Sequence, residues 1–321
     1  MRLGNPSHLI SVVTVTLNQI NRIEAFVRNV HQQIYRPLEL VVVDGGSADG
    51  TIEKVGNLAG ELSDNSFSIR LISESQFGTQ RSSGNARNIG SRVARGSNVI
   101  FMDPDMSFTN TDSVGMIASK LETVRFTRVR TTIIVDTDLE KFLAQAHPRY
   151  HNCAYRKEVL EKVQFDPSLG YGEDQDFMYR VKRDVGLDTD QVCEVTLARH
   201  LPHTRSEFLR QTIWYASTMP NFIEVVVRRK EDELRNGLCD WLRFWSFCFL
   251  PFLAFEAPLL DYLRRRGVSR VELSFLLWNS IVRRYISLCY FLRTGAKTKT
   301  LQVDLQLLLS CMWNRLRSRH F

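Results

Sequence analysis

The sequence is poor in cysteine, and its six cysteines are scattered along 321 residues. They occupy positions 153, 193, 239, 248, 289 and 311, and no two have a C-x-x-C spacing. Dispersed single cysteines in a chain of this size are typical of reduced thiols in a cytoplasmic protein. The pattern therefore excludes a disulfide scaffold and argues against a structural zinc site.

Long apolar runs are also missing. A membrane-spanning helix needs roughly 20 apolar residues with few charges, whereas the longest charge-free apolar run, Phe244–Phe255, contains Pro251. No extended apolar run precedes the first predicted strand, so we expect no signal peptide. The composition, 44% hydrophobic and 24% charged, is that of a globular protein and excludes a disordered or collagen-like chain.

Positive charge is concentrated in the last quarter of the chain. Residues 238–321 carry 13 basic and 5 acidic side chains, a net +8, whereas residues 1–237 carry 29 basic and 30 acidic, a net −1. A basic segment indicates an anionic partner, either lipid or nucleic acid. Between Leu273 and Leu292 a wide apolar face lies opposite a polar one, which is typical of a helix in a membrane interface. The alternative is a helical cap packed on the catalytic core.

Short β-branched runs alternate with helical stretches in the first two thirds of the chain. The spacing predicts strands at Ile10–Leu17, Leu38–Val43, Ile69–Ser73 and Val99–Met102, and helices at Arg22–Gln33, Thr51–Ala59 and Gly84–Ala94. This alternation predicts an α/β fold with a mostly parallel sheet and right-handed crossovers.

Carboxylates follow several of these strands and loops, at the edge where open α/β sheets bind ligands. They are Asp44, Asp103, Asp105, the pair Glu173 and Asp174, and Asp176. A single aspartate at such a position often only caps the next helix. The order and spacing of the whole set carry more information than any one member.

Over about residues 8–217, the sequence resembles the family-2 glycosyltransferases of the GT-A fold. The motifs that carry the resemblance are Val12–Asn18, Gln33–Pro37 with Glu39, Val41–Thr51, Gly84–Gly90, Asp103–Asp105, and Gly172–Phe177 with Arg180. They correspond to the first strand, the "VVDDGS" stretch with Gly45 in place of its second aspartate, the "ARNxG" helix start, the D-x-D motif and the "GEDxDF" motif.

The resemblance implies a divalent cation, Mn²⁺ or Mg²⁺, that neutralises charge on a nucleotide diphosphate leaving group. Asp105 is the expected direct ligand, with a loop cap as its alternative role. Asp103 is expected to face the ribose or a metal-bound water. A histidine often completes the metal or diphosphate shell in the family. We assign this place to His203 rather than His200, with a buried core histidine as the alternative.

The donor, by default a UDP-sugar, is expected at the ends of the first two strands. Asp44 would accept hydrogen bonds from the base or ribose, as it does in the family, and Thr16 and Asn18 would flank the same pocket. Arg87 would contact the base or the diphosphate. Its alternative role is a structural ion pair with Asp44 or a neighbour. Gly45, Gly46 and Gly50 are predicted to be turn residues rather than a phosphate cradle.

The resemblance places the general base on Asp174, which would take the proton of the attacking acceptor hydroxyl. Glu173 would bind the acceptor or hold the loop. Asp176 is expected to cap a helix that begins near Phe177. Direct displacement with inversion is the implied mechanism.

The Q-x-x-R-W signature of processive polysaccharide synthases is absent, since Gln211 is followed by Thr-Ile-Trp-Tyr. Because this signature is absent, we predict transfer of a single sugar.

A nucleotidyltransferase would need a glycine-rich, lysine-bearing phosphate loop near the first strand, and none is present.

The catalytic domain should span residues 1–235, with a nucleotide-sugar half at about 8–107 and an acceptor half at about 108–235. Residues 236–321 form the basic, aromatic-rich C-terminal region. We expect it to touch the cytoplasmic face of a membrane and the acceptor to be a lipid-linked or cell-surface glycan. A soluble transferase with a non-lipid acceptor is one alternative. A nucleic-acid-binding protein is another, disfavoured because the C-terminal arginines are embedded among Leu, Trp and Phe.

Overall fold

The computed structural model describes residues 8–78, 81–134, 150–170, 172–186 and 192–200, and scattered positions between 206 and 218. The chain divides into two units, Met1–Leu201 and Pro202–Phe321. The architecture below is that of the first unit. The predicted domain boundary at residue 235 and the basic C-terminal region lie outside the described residues, so both stay predictions.

An eight-stranded sheet forms the centre of this unit. Its strands are β1 (Ile10–Thr16), β2 (Leu38–Asp44), β3 (Phe67–Ser73), β4 (Asn98–Phe101), β5 (Met106–Phe108), β6 (Phe126–Ile134), β7 (Tyr150–Arg156) and β8 (Val192–His200). Their order across the sheet is β3-β2-β1-β4-β7-β6-β8-β5. The pairs β1–β2, β1–β4, β2–β3 and β6–β8 are parallel, whereas β4–β7, β6–β7 and β5–β8 are antiparallel.

Helices cover the sheet. They are α1 (Ile20–His31), α2 (Thr51–Leu62), α3 (Ser83–Val93), α4 (Ser113–Thr123), α5 (Lys157–Lys162) and α6 (Glu173–Val185), with a 3₁₀ turn at Glu74–Phe77. None of the described helices is long and apolar enough to cross a membrane.

The predicted α/β fold and mostly parallel sheet are confirmed. Each strand and helix predicted up to residue 102 is present with its ends shifted by no more than three residues. Strand β2 is buried at all seven positions, as expected for a strand covered on both faces. Two apolar cores fill the layers, one of which includes Val12, Phe26 and Leu40, and the other Val13, Phe101 and Phe177.

Close packing fixes α3 against the sheet. A Cβ atom added to Gly90 would lie 2.3 Å from Val13 Cγ1, and one added to Gly84 would lie 2.9 Å from the backbone oxygen of Asp166. Only glycine permits approaches this short. Helix α3 is therefore held against the sheet at Gly90 and against the segment that precedes α6 at Gly84.

Two of the resemblance motifs serve the opposite, amino-terminal edge of the sheet. Glu39 is fully buried and accepts hydrogen bonds from Ser11 Oγ (2.5 Å) and from Nε of Arg95 (2.8 Å). Gln33 donates to the Asn110 carbonyl at 3.0 Å and accepts from the Val114 amide at 3.1 Å. These side chains stabilise connections between elements and lie at the far ends of the strands from the predicted donor pocket.

Candidate active site

The predicted site residues collect at the carboxyl ends of the parallel strands. Strands β1, β2 and β4 end at Thr16, Asp44 and Phe101, and because they are parallel these ends share one edge of the sheet. The Asp103–Asp105 loop follows β4 directly. This edge is where open α/β sheets bind ligands.

Asp44 organises the loop that follows β2. Its Oδ2 accepts hydrogen bonds from the amides of Gly46 (2.7 Å) and Ser47 (2.9 Å), and its Oδ1 accepts one from Ser47 Oγ (2.5 Å). Gly46 and Gly50 have φ angles of 102° and 92°, so they are turn residues as predicted. The carboxylate is 1% exposed, and its hydrogen bonds fix the shape of the predicted donor pocket.

Asn18 and Thr16 adjoin the same loop. The Asn18 amide donates to Ser47 Oγ (2.8 Å), and its Oδ1 accepts from the Ala48 amide (2.9 Å). Thr16 is buried, and its Oγ1 has no hydrogen-bond partner among the described residues. A buried hydroxyl without a partner is costly, so a ligand atom that bonded to Thr16 would relieve that cost.

Asp105 has two carboxylate oxygens in different environments. Oδ2 accepts a hydrogen bond from Arg199 Nε at 3.2 Å, whereas the buried Oδ1 has no partner within the described part of the chain. Burial raises the pKa of Asp105 above its ordinary value. The charge of Arg199 opposes this rise, and that of Asp103 adds to it. A cation beside Oδ1 would favour the ionised form.

Asp103 and Asp105 suit Mg²⁺ or Mn²⁺, which take carboxylate oxygens together with phosphate oxygens. The described residues contain no group of three or more His, Cys, Asp or Glu side chains arranged to hold a metal ion. His203 lies outside those residues, and nothing is described of the His200 side chain. The feature that fits a cation is Asp105 Oδ1, a buried oxygen without a hydrogen-bond partner among the described residues.

Arg87 joins two of the predicted site carboxylates. Its Nη1 lies 2.5 Å from Glu173 Oε1, and its Nη2 lies 3.2 Å from Asp103 Oδ1. Burial alone would lower the pKa of Arg87, but the charges of Asp103 and Glu173 outweigh it and raise the pKa. Of its two predicted roles, the ion pair is present in the structure, and its partners are Asp103 and Glu173 rather than Asp44. Donor contact stays a prediction.

Helix α6 begins at the ED pair. Glu173 is buried and accepts hydrogen bonds from Ser83 Oγ (2.8 Å) and Arg87. Asp174 is exposed, and its Oδ1 accepts from the Gln175 amide at 2.8 Å. Glu173 thus holds the loop, as one of its predicted roles required, while its contact with an acceptor and the role of Asp174 as base stay predictions.

The prediction that Asp176 caps this helix is wrong. Helix α6 begins four residues earlier than expected, after Gly172 in the left-handed conformation, which glycine adopts readily. Asp176 lies inside the first turn and pairs with Arg180, one turn along, at 2.7 Å.

Sequence reasoning missed two residues of the site. Arg199 on β8 reaches Asp105 across 94 positions of sequence. Glu74 is buried and accepts hydrogen bonds from the Ser82 amide (3.1 Å) and Asn85 Nδ2 (2.8 Å), which anchors the start of α3. Neither residue lies in a recognisable motif, so only long-range strand pairing and burial reveal them.

One family model matches part of the chain. The family model described as "Glycosyl transferase family 2" matches residues 11–164. No curated protein matches the sequence significantly.

Two solved structures, PcManGT and glucosyl-3-phosphoglycerate synthase, show the same fold at low identity. The mannosyltransferase PcManGT from Pyrobaculum calidifontis, in complex with GDP-Man and Mn²⁺, has 16% identity and a TM-score of 0.51, covering 97% of this chain and 82% of its own. Glucosyl-3-phosphoglycerate synthase from Mycobacterium tuberculosis, in complex with Mn²⁺, UDP and glucosyl-3-phosphoglycerate, has 20% identity and a TM-score of 0.50, covering 70% and 84%. TarS of S. aureus has 16% identity and a TM-score of 0.49; the match covers 88% of this chain and 55% of TarS.

The predicted resemblance is therefore confirmed by the family match and by the shared fold. Residues 11–164, just under half of this chain, match the model of glycosyl transferase family 2, and the described unit has the fold of solved GT-A glycosyltransferases.

Proposed function

We propose that this protein transfers one sugar from a nucleotide diphosphate sugar to an acceptor hydroxyl, by direct displacement with inversion. The observation that carries the proposal is the juxtaposition of the D-x-D carboxylates with the ED pair through Arg87. A leaving-group side and a proton-accepting side would thereby lie next to each other at one edge of the sheet.

The donor would bind at the ends of β1 and β2. Asp44, fixed by its own loop, would accept hydrogen bonds from the base or ribose through its remaining lone pairs. Thr16 Oγ1, which has no hydrogen-bond partner among the described residues, and the backbone around Asn18 would complete this pocket. The default donor is a UDP-sugar.

Asp105 Oδ1, with Asp103 beside it, would hold Mn²⁺ or Mg²⁺, and His203 is the proposed further ligand. When bound, the divalent cation would neutralise charge on the departing nucleotide diphosphate. Arg199 already donates to Oδ2 of Asp105, so we assign Oδ1 to the cation.

Asp174 would accept the proton of the attacking hydroxyl. It is exposed at the first turn of α6, so an acceptor can approach it from solvent. General-base catalysis of this kind contributes roughly 10²–10⁴-fold to rate.

A thermal-shift screen with UDP-, GDP-, dTDP- and CDP-sugars, each with and without MnCl₂, tests the donor assignment. We expect one base to raise the melting temperature, with a larger rise when Mn²⁺ is present. If no nucleotide sugar stabilises the protein under either condition, the proposed function is wrong.

We also propose a lipid-linked or cell-surface glycan acceptor, met at the cytoplasmic face of a membrane through residues 236–321. Support comes from the net +8 charge of residues 238–321 and their apolar, aromatic composition. Sedimentation of the full-length protein with anionic vesicles tests this placement.

A further inference from the structure

We propose that Arg87 and Glu173 form a positioning pair that fixes the general base Asp174 relative to the D-x-D loop. The inference rests on the proposed function and assigns these two residues to each other rather than to substrate. The pair spans three elements: α3 carries Arg87, α6 carries Glu173 and the loop after β4 carries Asp103.

The geometry of the guanidinium supports a bridging role. Its two terminal nitrogens contact two different carboxylates, at 2.5 Å to Glu173 and 3.2 Å to Asp103. The Arg87 Cζ atom also lies 5.7 Å from the centre of the Phe165 ring, a cation–π distance. A planar guanidinium held on two edges and one face has little freedom to turn toward another ligand.

Burial separates the pair from the base beside it. The side chains of Arg87 and Glu173 are only 13% and 10% exposed. Glu173 Oε1 already accepts from Arg87 and from Ser83 Oγ. Successive helical residues point about 100° apart, so burying Glu173 turns the neighbouring Asp174 outward, where it is exposed.

The charges of Arg87 and the carboxylates around it depend on one another. Asp103, Glu173 and Asp174 all stabilise the charged form of Arg87. Two carboxylates brought to one cation repel each other if the cation is removed. Loss of the pair should therefore let the start of α6 shift relative to Asp103. A displacement of 1 Å at a reacting group can cost roughly 10²-fold in rate.

The test compares Glu173→Gln with Asp176→Asn in the full chain. Asp176 pairs with Arg180 on the same helix, and its side chain is 4% exposed, so it serves as a matched buried ion pair. Turnover is measured as release of nucleotide diphosphate from the donor selected by the screen. Binding is measured by calorimetry with UDP and MnCl₂, and folding by melting temperature.

We expect Glu173→Gln to lower kcat by about 10- to 100-fold while KM for the donor and Kd for UDP with Mn²⁺ stay within about threefold. Asp176→Asn should change kcat by less than about threefold at a similar loss of melting temperature. Arg87→Lys keeps the charge but cannot bridge both carboxylates, so it should lower kcat. It should also weaken UDP–Mn²⁺ binding, because Asp103 in the D-x-D loop would lose its contact with Arg87. The double variant should be no slower than Arg87→Lys alone.

Two results would overturn the inference. If Glu173→Gln raises KM for the acceptor and spares kcat, Glu173 binds the acceptor directly. If Glu173→Gln and Asp176→Asn lower kcat equally, the pair only stabilises the fold. Should Glu173→Gln fail to fold, Ser83→Ala removes one of its two hydrogen bonds, and a kcat that stays at the wild-type value would then contradict the role.

The failure of the inference differs from failure of the proposed function. Asp174→Asn is measured in parallel. Full activity of Asp174→Asn would reject Asp174 as the base and, with it, the positioning role. An inactive Asp174→Asn beside a fully active Glu173→Gln would reject the positioning role alone.

Discussion

At the residue scale, the two carboxylate oxygens of Asp105 have different environments. Arg199 neutralises one of them, and the other is buried without a partner among the described residues. A carboxylate in this state is stabilised by a cation supplied from outside the chain. Replacing the Asp105 carboxylate should therefore weaken ligand binding more than it destabilises the fold.

Asp105→Asn should nearly abolish transfer, by roughly 10³-fold for the loss of several kcal/mol of charge stabilisation. It should also remove the part of nucleotide affinity that depends on Mn²⁺. Calorimetry with UDP, with and without MnCl₂, measures this part. Asp112→Asn, an exposed aspartate whose side chain makes no capping hydrogen bond, is the matched control. Unchanged Mn²⁺-dependent affinity in Asp105→Asn would rule out the metal assignment.

Asp174→Asn should cut kcat by roughly 10²–10⁴-fold, the range for losing a general base. Donor affinity should stay within a few-fold, because Asp174 is exposed at the start of α6 and bonds only its neighbour's amide among the contacts that the structure gives it. Steady-state kinetics and UDP calorimetry separate the two quantities. A collapse of donor affinity with turnover preserved at saturation would move Asp174 into the donor pocket.

The site residues that sequence could identify are those in short local motifs. Asp44, Asp103 and Asp105 each follow a β-branched strand that the pattern marks clearly. Arg199 could not be found in this way, because its partner lies 94 positions away and its strand, β8, has no distinctive neighbour motif.

At the element scale, the parallel half of the sheet follows directly from sequence periodicity. Strands β1 to β4 are β-branched runs separated by helices with clear apolar faces, so their ends were predicted closely. The insertion of β7 between β4 and β6, and the pairing of β5 with β8, could not be predicted, since strand order depends on long-range contacts rather than on local pattern.

Gly90→Ala should destabilise the protein by about 1–3 kcal/mol, the usual cost of overpacking a core. Its added methyl would lie 2.3 Å from Val13 Cγ1 and 3.3 Å from Val43 Cγ2, so α3 would have to move off the sheet. Gly60→Ala on α2 is the control. Its added Cβ meets nothing within 4 Å, and it should stabilise by about 0.4–1 kcal/mol. Urea unfolding measures both; equal stabilities would contradict the close packing of α3.

Glu39→Gln should lower the free energy of unfolding at pH 7 by about 1.5–3 kcal/mol, since it removes charge-assisted hydrogen bonds. Burial alone would raise the pKa of Glu39, but the hydrogen bonds from Ser11 and Arg95 outweigh it and lower the pKa below 4.5. A lowered pKa in the folded state stabilises the protein above the unfolded pKa, and this contribution is lost as pH falls through the folded value.

The stability difference between wild type and Glu39→Gln should therefore be largest at neutral pH and shrink below about pH 4.5. Urea unfolding at several pH values measures it. Glu24→Gln is the control, because Glu24 pairs with Arg28 and Lys54 at a surface where its side chain is 42% exposed. A difference that grows on acidification would contradict the assigned pKa direction.

At the scale of the whole molecule, charge is divided between an almost neutral stretch and a basic one. Residues 1–237 carry a net −1, and residues 238–321 a net +8. Attraction to anionic lipid is worth about 1 kcal/mol per basic residue near the surface and is screened by salt.

Replacing Arg264, Arg265 and Arg266 with Gln should weaken sedimentation with anionic vesicles and leave binding to neutral vesicles nearly unchanged. High salt should release the wild type only in part, because apolar contacts are not screened. Full-length protein that stays in the supernatant with anionic vesicles at low salt would leave the C-terminal region as a cap on the core.

The edge strand β5 has a consequence for how the molecule is made. It follows the Asp103–Asp105 loop, but it pairs with β8, and the arginine that holds Asp105 also comes from β8. On a ribosome that adds 5–20 residues per second, the 94 positions between them take about 5–20 s to synthesise. A nascent chain can thus complete strands β1 to β4 while the loop that would grip the donor still lacks its arginine. The growing polypeptide would then have the proposed donor side of the site before it has the arginine that contacts Asp105, and the proposed site would be complete only after β8 has emerged.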